Sequence, residues 1–298
     1  MLSPHDTARV LTQALPYIQR FRNQVVVVKY GGNAMTAESD SAFAADVVLM
    51  HSVGIRPVVV HGGGPQITDL MRRLGKESTF KDGLRVTDAE SLEITRMVLV
   101  GKVNRELVAA INRHGPLAVG VSGEDAGTIS ATMRDPALGF VGDVTAVNPA
   151  LLNQLLAQGL IPVVATVGVD SDGQAYNINA DTVAGAIAVA LGAEKVIFLT
   201  DIDGLRRDVS DASTLISQCS AGELRLLIAD GTVSTGMIPK AEACLTAVEG
   251  SVRSAHLIDG RAPHVLLLEL FTDAGIGTMV ARHSTSNTAI SRTESGKK

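Results

Sequence analysis

Lys29 ends a run of four valines and leads straight into a pair of glycines, in VVVVKYGGNAM at residues 25–35. An apolar run of that length reads as a buried strand, so the chain delivers an ammonium group and a flexible turn to one place. RPVVVHGGGPQ at 56–66 repeats the arrangement with His61, three glycines and Pro65. Glycine lets the backbone approach a ligand closely and turn successive N–H groups together, which suits an anion. Pro65 fits the first turn of a helix, whose positive dipole end would face the same anion. Either loop alone reads equally well as an ordinary strand-to-helix turn. The two together, one with a lysine at its strand end, point to a site.

Neither loop carries the usual nucleotide signatures. No G-x-x-x-x-G-K-[ST] occurs, which argues against a P-loop enzyme. HGGGPQ departs from G-x-G-x-x-G, and no acid closes the next strand, which disfavours hydride transfer. HGGG can build an oxyanion hole in esterases, but the chain has no G-x-S-x-G elbow; VGVSGED at 119–125 lacks the second glycine.

Further polar groups follow. GLRVT at 83–87 sets Arg85 ahead of a helix start, suited to a bidentate grip on a carboxylate or simply to solvent. YNINAD at 176–181 puts Asn177, Asn179 and Asp181 at another helix start, where capping is the plain alternative. TDIDG, with Thr200, Asp201, Asp203 and Gly204, follows a buried strand and offers either a turn or a nucleotide contact. GTVSTGMIPK at 231–240 is a polar loop containing Gly236 and Met237 that ends on Lys240 in the first turn of a helix. A lysine there opposes the helix dipole, and an anion accounts for it better than solvent does.

The elements that must position these groups alternate strand and helix. Ser3-Pro4-His5-Asp6 starts a helix whose apolar stripe is Val10, Leu11, Ala14, Leu15, Ile18 and Phe21. AFAADVVLMHSVG reads as a helix ended by Gly54, and Thr87 caps a helical stretch reaching His114 with a break near Gly101. Asn148-Pro149 opens a helix through Gln158, LIPVVATVG reads as one buried strand, and ADTVAGAIAVALG, EKVIFLT and residues 220–229 read as helix, strand and helix. The stretch 117–147 reads as hairpins at a sheet edge or lid. Near-continuous apolar strands between helices predict an α/β fold with a mainly parallel sheet covered on both faces. The polar tail 284–298 reads as disordered.

Composition narrows the class. With 298 residues, 46% hydrophobic but 3% aromatic, the core must be built from Val, Leu, Ile and Ala. A net charge of −5 with interspersed signs supplies no basic stripe for nucleic acid. Two cysteines at no ligand spacing, no apolar signal core and no membrane-length run predict a soluble cytoplasmic protein.

KYGGNAM, VVVHGGGPQI, GLRVT, YNINAD, FLTDIDG and TGMIPK, in this order and over nearly the whole chain, resemble the acetylglutamate kinases of the amino acid kinase superfamily. The resemblance implies a three-layer α/β/α sandwich: an N-terminal helix (1–24), a lobe for acetylglutamate (25–192) and a lobe for ATP (193–283), in one continuous fold. It implies phosphorylation of the γ-carboxylate of N-acetyl-L-glutamate by ATP and Mg²⁺, the second step of arginine biosynthesis, with the metal held mainly through the ATP phosphates. By the same resemblance Lys29 and Lys240 stabilise the transferring phosphoryl group and Asp181 orients both lysines. Gly63, Gly64, Arg85 and Asn177 would bind acetylglutamate. Gly31 and Gly32 would surround the phosphates, and Thr200, Asp201, Asp203, Gly204, Gly236 and Met237 would contact the nucleotide. A carboxylate nucleophile, with a reference pKa of about 4.3, is already ionised at neutral pH, so no general base is needed. Another small-carboxylate or carbamate kinase, and a catalytically silent arginine-binding regulator, are the rival readings. Retention of both lysines argues against the second.

The leading helix adds one expectation. Arginine-inhibited members of this family carry such a helix and interlace it into a hexameric ring, a trimer of dimers. The resemblance therefore implies feedback inhibition by L-arginine, with Tyr17, Lys195, His256, Glu269 and Gly275 as the candidate effector site.

Overall fold

The four valines ahead of Lys29 are all buried and face alternately into two hydrophobic cores, Val25 and Val27 into one and Val26 and Val28 into the other. That alternation is the period of an extended strand, and it requires cover on both sides. The computed structural model describes residues 3–35, 37–272 and 275–283; the tail from 284 lies outside them.

From the N-terminus, α1 (Pro4–Phe21) leads into β1 (Val25–Tyr30), α2 (Ala37–Ser52), β2 (Arg56–His61) and α3 (Gly64–Arg73). A short hairpin, β3 (Phe80–Lys81) and β4 (Leu84–Arg85), precedes α4 (Ala89–Arg96), a π-helical segment (Met97–Val103) and α5 (Asn104–Asn112). Then come β5 (Ala118–Ser122), β6 (Ile129–Met133), β7 (Val141–Val147), α6 (Ala150–Ala157), β8 (Ile161–Ala165), β9 (Val167–Val169) and β10 (Ala175–Ile178). The chain continues through α7 (Ala180–Ala190), β11 (Lys195–Thr200), β12 (Gln218–Ser220), α8 (Ala221–Ala229) and α9 (Ile238–Glu249). It ends with β13 (Ser254–Asp259), α10 (Val265–Phe271) and β14 (Thr278–Ala281).

Eight strands form the central sheet in the order β12-β14-β13-β11-β1-β2-β8-β5. They run parallel except that β14, with its parallel neighbour β12, opposes β13. Helices α6, α7, α8 and α9 cover one face, and α2, α3, α4, α5 and α10 the other. The expected α/β/α layering is therefore present. Tyr30 pairs with His61, and Lys29 with Phe198 on the other side. Because these strands are parallel, the two glycine loops and the TDIDG loop leave the sheet side by side at its carboxyl edge.

Local assignments needed three corrections. LIPVVATVG is not one strand: β8 stays in the main sheet, and the chain then departs to form β9 in a small barrel with β6, β7 and β10. Gly168 permits this, since a Cβ there would meet Ile178 Cδ1 at 2.7 Å and Ile129 Cγ2 at 2.9 Å. The stretch 117–147 divides likewise, with β5 at the main sheet's edge and only β6–β7 a hairpin. The cap of α4 is Asp88, which accepts from the Ser91 N–H at 2.7 Å; Thr87 is buried and its hydroxyl donates to the Arg85 carbonyl. The expected break near Gly101 is the π-helical segment, through which the helical path continues into α5.

Helix α1 is capped by Ser3, which accepts from the Asp6 N–H at 3.1 Å, and buries Phe21. Val10, Leu11 and Leu15 of its stripe stay exposed, Leu11 at 68%. Among the described residues no helix is long and apolar enough to cross a membrane.

Phe198 is fully buried on β11 beside β1. Phe198→Ala should cost about 3–5 kcal/mol, the range for emptying a large core position. Denaturant unfolding checks this, and a loss below about 1 kcal/mol would contradict a tightly packed core there.

Candidate active site

Three elements distant in sequence bring charge together at the carboxyl edge of the sheet. Lys29 is the penultimate residue of β1, Asp181 stands in the first turn of α7, and Lys240 in the first turn of α9. Lys29 Nζ lies 3.0 Å from Asp181 Oδ1 and Lys240 Nζ lies 3.4 Å from Oδ2. Lys29 and Asp181 are buried, while the Lys240 side chain remains 21% exposed. An unpaired buried charge is costly, so the three groups stabilise one another in place. Burial is the strongest single influence on the Asp181 carboxyl and opposes its ionisation. The attraction and hydrogen bonding of the two lysines outweigh it and hold the pKa below the usual carboxylate value. Two ammonium groups around one carboxylate leave a surplus positive charge for an anionic ligand.

The alternatives left open for YNINAD now separate. Asn179 is a cap, its Oδ1 accepting from the N–H groups of Asp181 and Thr182 at 2.9 and 3.2 Å. That cap fixes the first turn from which Asp181 reaches the lysines. Asn177, on β10, lines a cavity and donates to Thr87 Oγ1 at 3.3 Å.

Around the charged triad the surface is hollow. A cavity of about 260 Å³ is lined by Lys29, Gly62, Gly63, Gly64, Arg85, Asn177, Asp181 and Lys240. A wider cleft of about 720 Å³ shares Lys29, Gly32, Gly64, Arg85 and Lys240 and reaches Gly31, Thr200 and Asp201. Beyond it a third hollow of about 430 Å³ runs over Asp201, Asp203, Gly204, Met237 and Arg261. The lysines thus stand between a pocket on the β2 side and a pocket on the β11 side.

Arg85 is buried and held on several sides. Its Nη2 donates to the Gly64 carbonyl at 3.0 Å and Thr68 Oγ1 at 2.8 Å, its Nη1 to Ser78 Oγ at 2.6 Å, and its guanidinium lies 4.7 Å from the Phe80 ring centre. Among the described residues no carboxylate pairs with it, and burial lowers its pKa. An arginine fixed by neutral groups on a cavity wall keeps its charge available for an anion. Gly32 has φ of +69° in the first loop, a conformation glycine adopts without strain. Gly63 leaves room for its neighbours: a Cβ there would come within 2.9 Å of Leu99 Cδ2, and the leucine methyl would have to shift.

On the β11 side the polar groups are partly structural. The Thr200 hydroxyl donates to the Ile202 carbonyl and accepts from the Ile202 N–H, turning the loop. Asp201 accepts from Asn33 at 2.8 Å, which ties TDIDG to the first glycine loop. Asp203 pairs with Arg206 at 2.7 Å. Gly236 is exposed on the turn Thr235–Met237. Two arginines were missed from the sequence. Arg206 and Arg261 both line this hollow, Arg261 gripped by Asp259 at 2.8 and 2.9 Å. Only the fold reveals them, because nothing local in the sequence places either arginine on the wall of this hollow.

A second buried cluster lies beside α1. Glu269 Oε1 is 2.9 Å from Lys195 Nζ and 2.8 Å from His256 Nδ1, and Lys195 Nζ is 5.3 Å from the Phe21 ring centre. Burial pulls the Lys195 and His256 pKa values down; for Glu269 it acts the other way but is outweighed by those two partners. Tyr17 is half-buried one turn before Phe21, and Gly275 is exposed. Among the described residues no cluster of three or more His, Cys, Asp or Glu side chains is arranged to hold a metal ion.

Residues 24–259 match the amino acid kinase family, and the chain belongs to that family. An acetylglutamate kinase from Pelotomaculum thermopropionicum is 51% identical over 295 residues, covering 95% of this chain and all of the relative. Within the family the chain is a kinase of the acetylglutamate kinase group. The N-acetylglutamate synthase of Neisseria gonorrhoeae, solved with coenzyme A and N-acetyl-glutamate, superposes with a TM-score of 0.82 at 28% identity. The match covers 93% of this chain and 64% of the synthase. The same synthase solved with coenzyme A and L-arginine gives 0.80 at 29% identity, over 93% of this chain and 66% of the synthase. A carbamate kinase from Giardia shares the fold at 16% identity, with a TM-score of 0.64 over 88% of this chain and 99% of its own.

The depressed Asp181 pKa carries a pH signature. A carboxyl whose folded pKa lies below its unfolded value adds stability that is present above the unfolded value, about pH 4, and is lost as pH falls through the folded one. Asp181→Asn should cost about 3–5 kcal/mol near neutrality, and the gap to wild type should close as pH is lowered below about 4. Denaturant midpoints across that range test it; a pH-independent gap would contradict the assignment.

Proposed function

We propose that the chain transfers the γ-phosphoryl group of ATP to the γ-carboxylate of N-acetyl-L-glutamate, in the cytoplasm, as a step of arginine biosynthesis. The observation that carries this reading is the Lys29–Asp181–Lys240 triad standing between two cavities with surplus positive charge. In this reading acetylglutamate occupies the smaller cavity, its α-carboxylate on Arg85, with Asn177 and the N–H groups of Gly63 and Gly64 on its remaining polar atoms. Its γ-carboxylate is ionised at neutral pH and attacks without a base. ATP lies across Asp201, Asp203, Gly204, Gly236 and Met237, with its phosphates toward Gly31 and Gly32.

Phosphoryl transfer depends on positioning and on neutralising charge that spreads over the transferring group. Lys29 approaches from one lobe and Lys240 from the other, and Asp181 holds both without quenching both. Because Asp181 is already committed to the lysines, the residues present suit Mg²⁺ carried in on the ATP phosphates rather than a resident metal. Arg85 favours acetylglutamate over carbamate, which has no second carboxylate to occupy it. Lys29→Ala and Lys240→Ala should each lower kcat by about 10²–10⁴-fold, the scale of one charged transition-state stabiliser. A coupled ADP-release assay with acetylglutamate measures this, and near-normal turnover in both variants would refute the mechanism.

The same reading extends to L-arginine as a feedback inhibitor. Its supports are the buried Glu269 carboxylate between Lys195 and His256 beside α1, the uncovered apolar residues of α1, and the arginine complex of the Neisseria synthase. Tyr17, Lys195, His256, Glu269 and Gly275 would form the effector site, and α1 would cover its apolar stripe in a homohexamer, a trimer of dimers. Deleting residues 1–20 should reduce the assembly and abolish the arginine-induced rise in acetylglutamate KM. Size measurement and an arginine titration check it; a hexameric, fully arginine-sensitive truncation would refute it.

A further inference from the structure

His61 is a buried titratable group to which phosphoryl transfer assigns no task. It ends β2 without solvent exposure, directly before the glycines that line the smaller cavity. Both ring nitrogens are engaged: Nδ1 lies 3.0 Å from the Gly62 carbonyl oxygen, and Nε2 lies 3.0 Å from Asn104 Nδ2. The Asn104 amide is fixed in its turn. Its Nδ2 lies 2.8 Å from the Val163 carbonyl oxygen, and its Oδ1 accepts from the Arg105 guanidinium.

A carbonyl oxygen only accepts hydrogen bonds. The Asn104 atom facing Val163 is therefore the amide nitrogen, which has a second hydrogen for His61, so Nε2 accepts. By the same rule the Gly62 oxygen requires a proton on Nδ1. Two separate constraints select one state of the ring: neutral, with its hydrogen on Nδ1. Burial is the largest influence and, together with the Arg105 charge, outweighs the Gly62 hydrogen bond; the pKa is pushed down to about 4, so the neutral ring persists at neutral pH.

The peptide that the ring holds borders the cavity. In a trans peptide the C=O and N–H point to opposite sides, so drawing the Gly62 carbonyl onto the imidazole turns the Gly63 N–H away from it. Among the described residues no backbone carbonyl accepts that N–H. Leu99 and Val103 of the π-helical segment press on Gly63, where a Cβ would lie 2.9 and 3.2 Å from their methyl carbons. The next residue along, Asn104, supplies the hydrogen bond to His61. One helical stretch thus fixes the loop by packing and by polarity.

We infer that His61, locked by Asn104 in the Nδ1–H tautomer, is a positioning residue that aims the Gly63 N–H as a preformed donor toward an anionic oxygen of the acceptor substrate. The role in catalysis rests on the acetylglutamate kinase reading; the tautomer does not. In the wild-type protein, long-range ¹H–¹⁵N spectra of the imidazole should report a protonated Nδ1 and a bare Nε2 at neutral pH. A ring protonated on Nε2 would overturn the inference whatever the substrate proves to be.

His61→Phe keeps the ring's bulk and loses both hydrogen bonds. It should raise the acetylglutamate KM about tenfold, the scale of one buried hydrogen bond, with the ATP KM unchanged. His61→Asn sets an amide nitrogen near the place of Nδ1 and should recover most of the loss. A wild-type acetylglutamate KM in His61→Phe, or equal losses for both substrates with no recovery in His61→Asn, would overturn the inference. If His61→Phe does not fold, the wild-type spectrum decides alone. Wild-type protein that turns over a different acceptor would defeat the functional reading and leave the tautomer result standing.

Discussion

One buried carboxylate between two ammonium groups sets the geometry of the site. Neither Lys29 nor Asp181 is stable in its low-dielectric position alone, since an uncompensated buried charge costs several kcal/mol. The pairing therefore commits the end of β1 and the starts of α7 and α9 to one another. It also explains why a lysine is tolerated in the first turn of α9, where the helix dipole opposes it. The dipole's cost is offset by a carboxylate 3.4 Å away.

At Arg85 a cation is fixed by partners that do not consume its charge, unlike Arg206 and Arg261, which pair with carboxylates. Arg85 is held by two hydroxyls, a carbonyl and an aromatic face, so its position is defined while its positive charge remains unpaired. The glycine loops are held by the strands they leave and by the Asn33–Asp201 contact. Donors oriented before the ligand arrives need not reorganise during reaction, and that is where most electrostatic catalysis originates. The Glu269 cluster differs: its carboxylate already has a lysine and a histidine within 3 Å, and both are buried.

The α/β class, the parallel sheet and the placement of the glycine loops were legible in the sequence, because apolar runs, helical periodicity and glycine are local signals. Lys29 and Lys240 could be singled out for the same reason, one as a charge ending an apolar strand and one as a charge set against a dipole. What misled were the places where tertiary context overrides a local pattern. LIPVVATVG is uniformly apolar, yet it crosses from the sheet to the barrel because Ile129 and Ile178 need the space at Gly168. Thr87 stands one residue before the cap: its hydroxyl donates to the Arg85 carbonyl, while Asp88 accepts from the Ser91 N–H.

The sequence by itself determined which residue types stand at the carboxyl edge of the sheet, since strand ends and helix starts follow from short-range periodicity. It could not determine which of them touch. Asp181, Lys29 and Lys240 are joined across more than 200 residues by the crossover order of a parallel sheet, and no local rule encodes that order. The same holds for His61, whose proton is assigned by an asparagine 43 positions away. Those long-range pairings are decided by burial, which makes a polar group choose a partner only once the fold has removed water as an alternative.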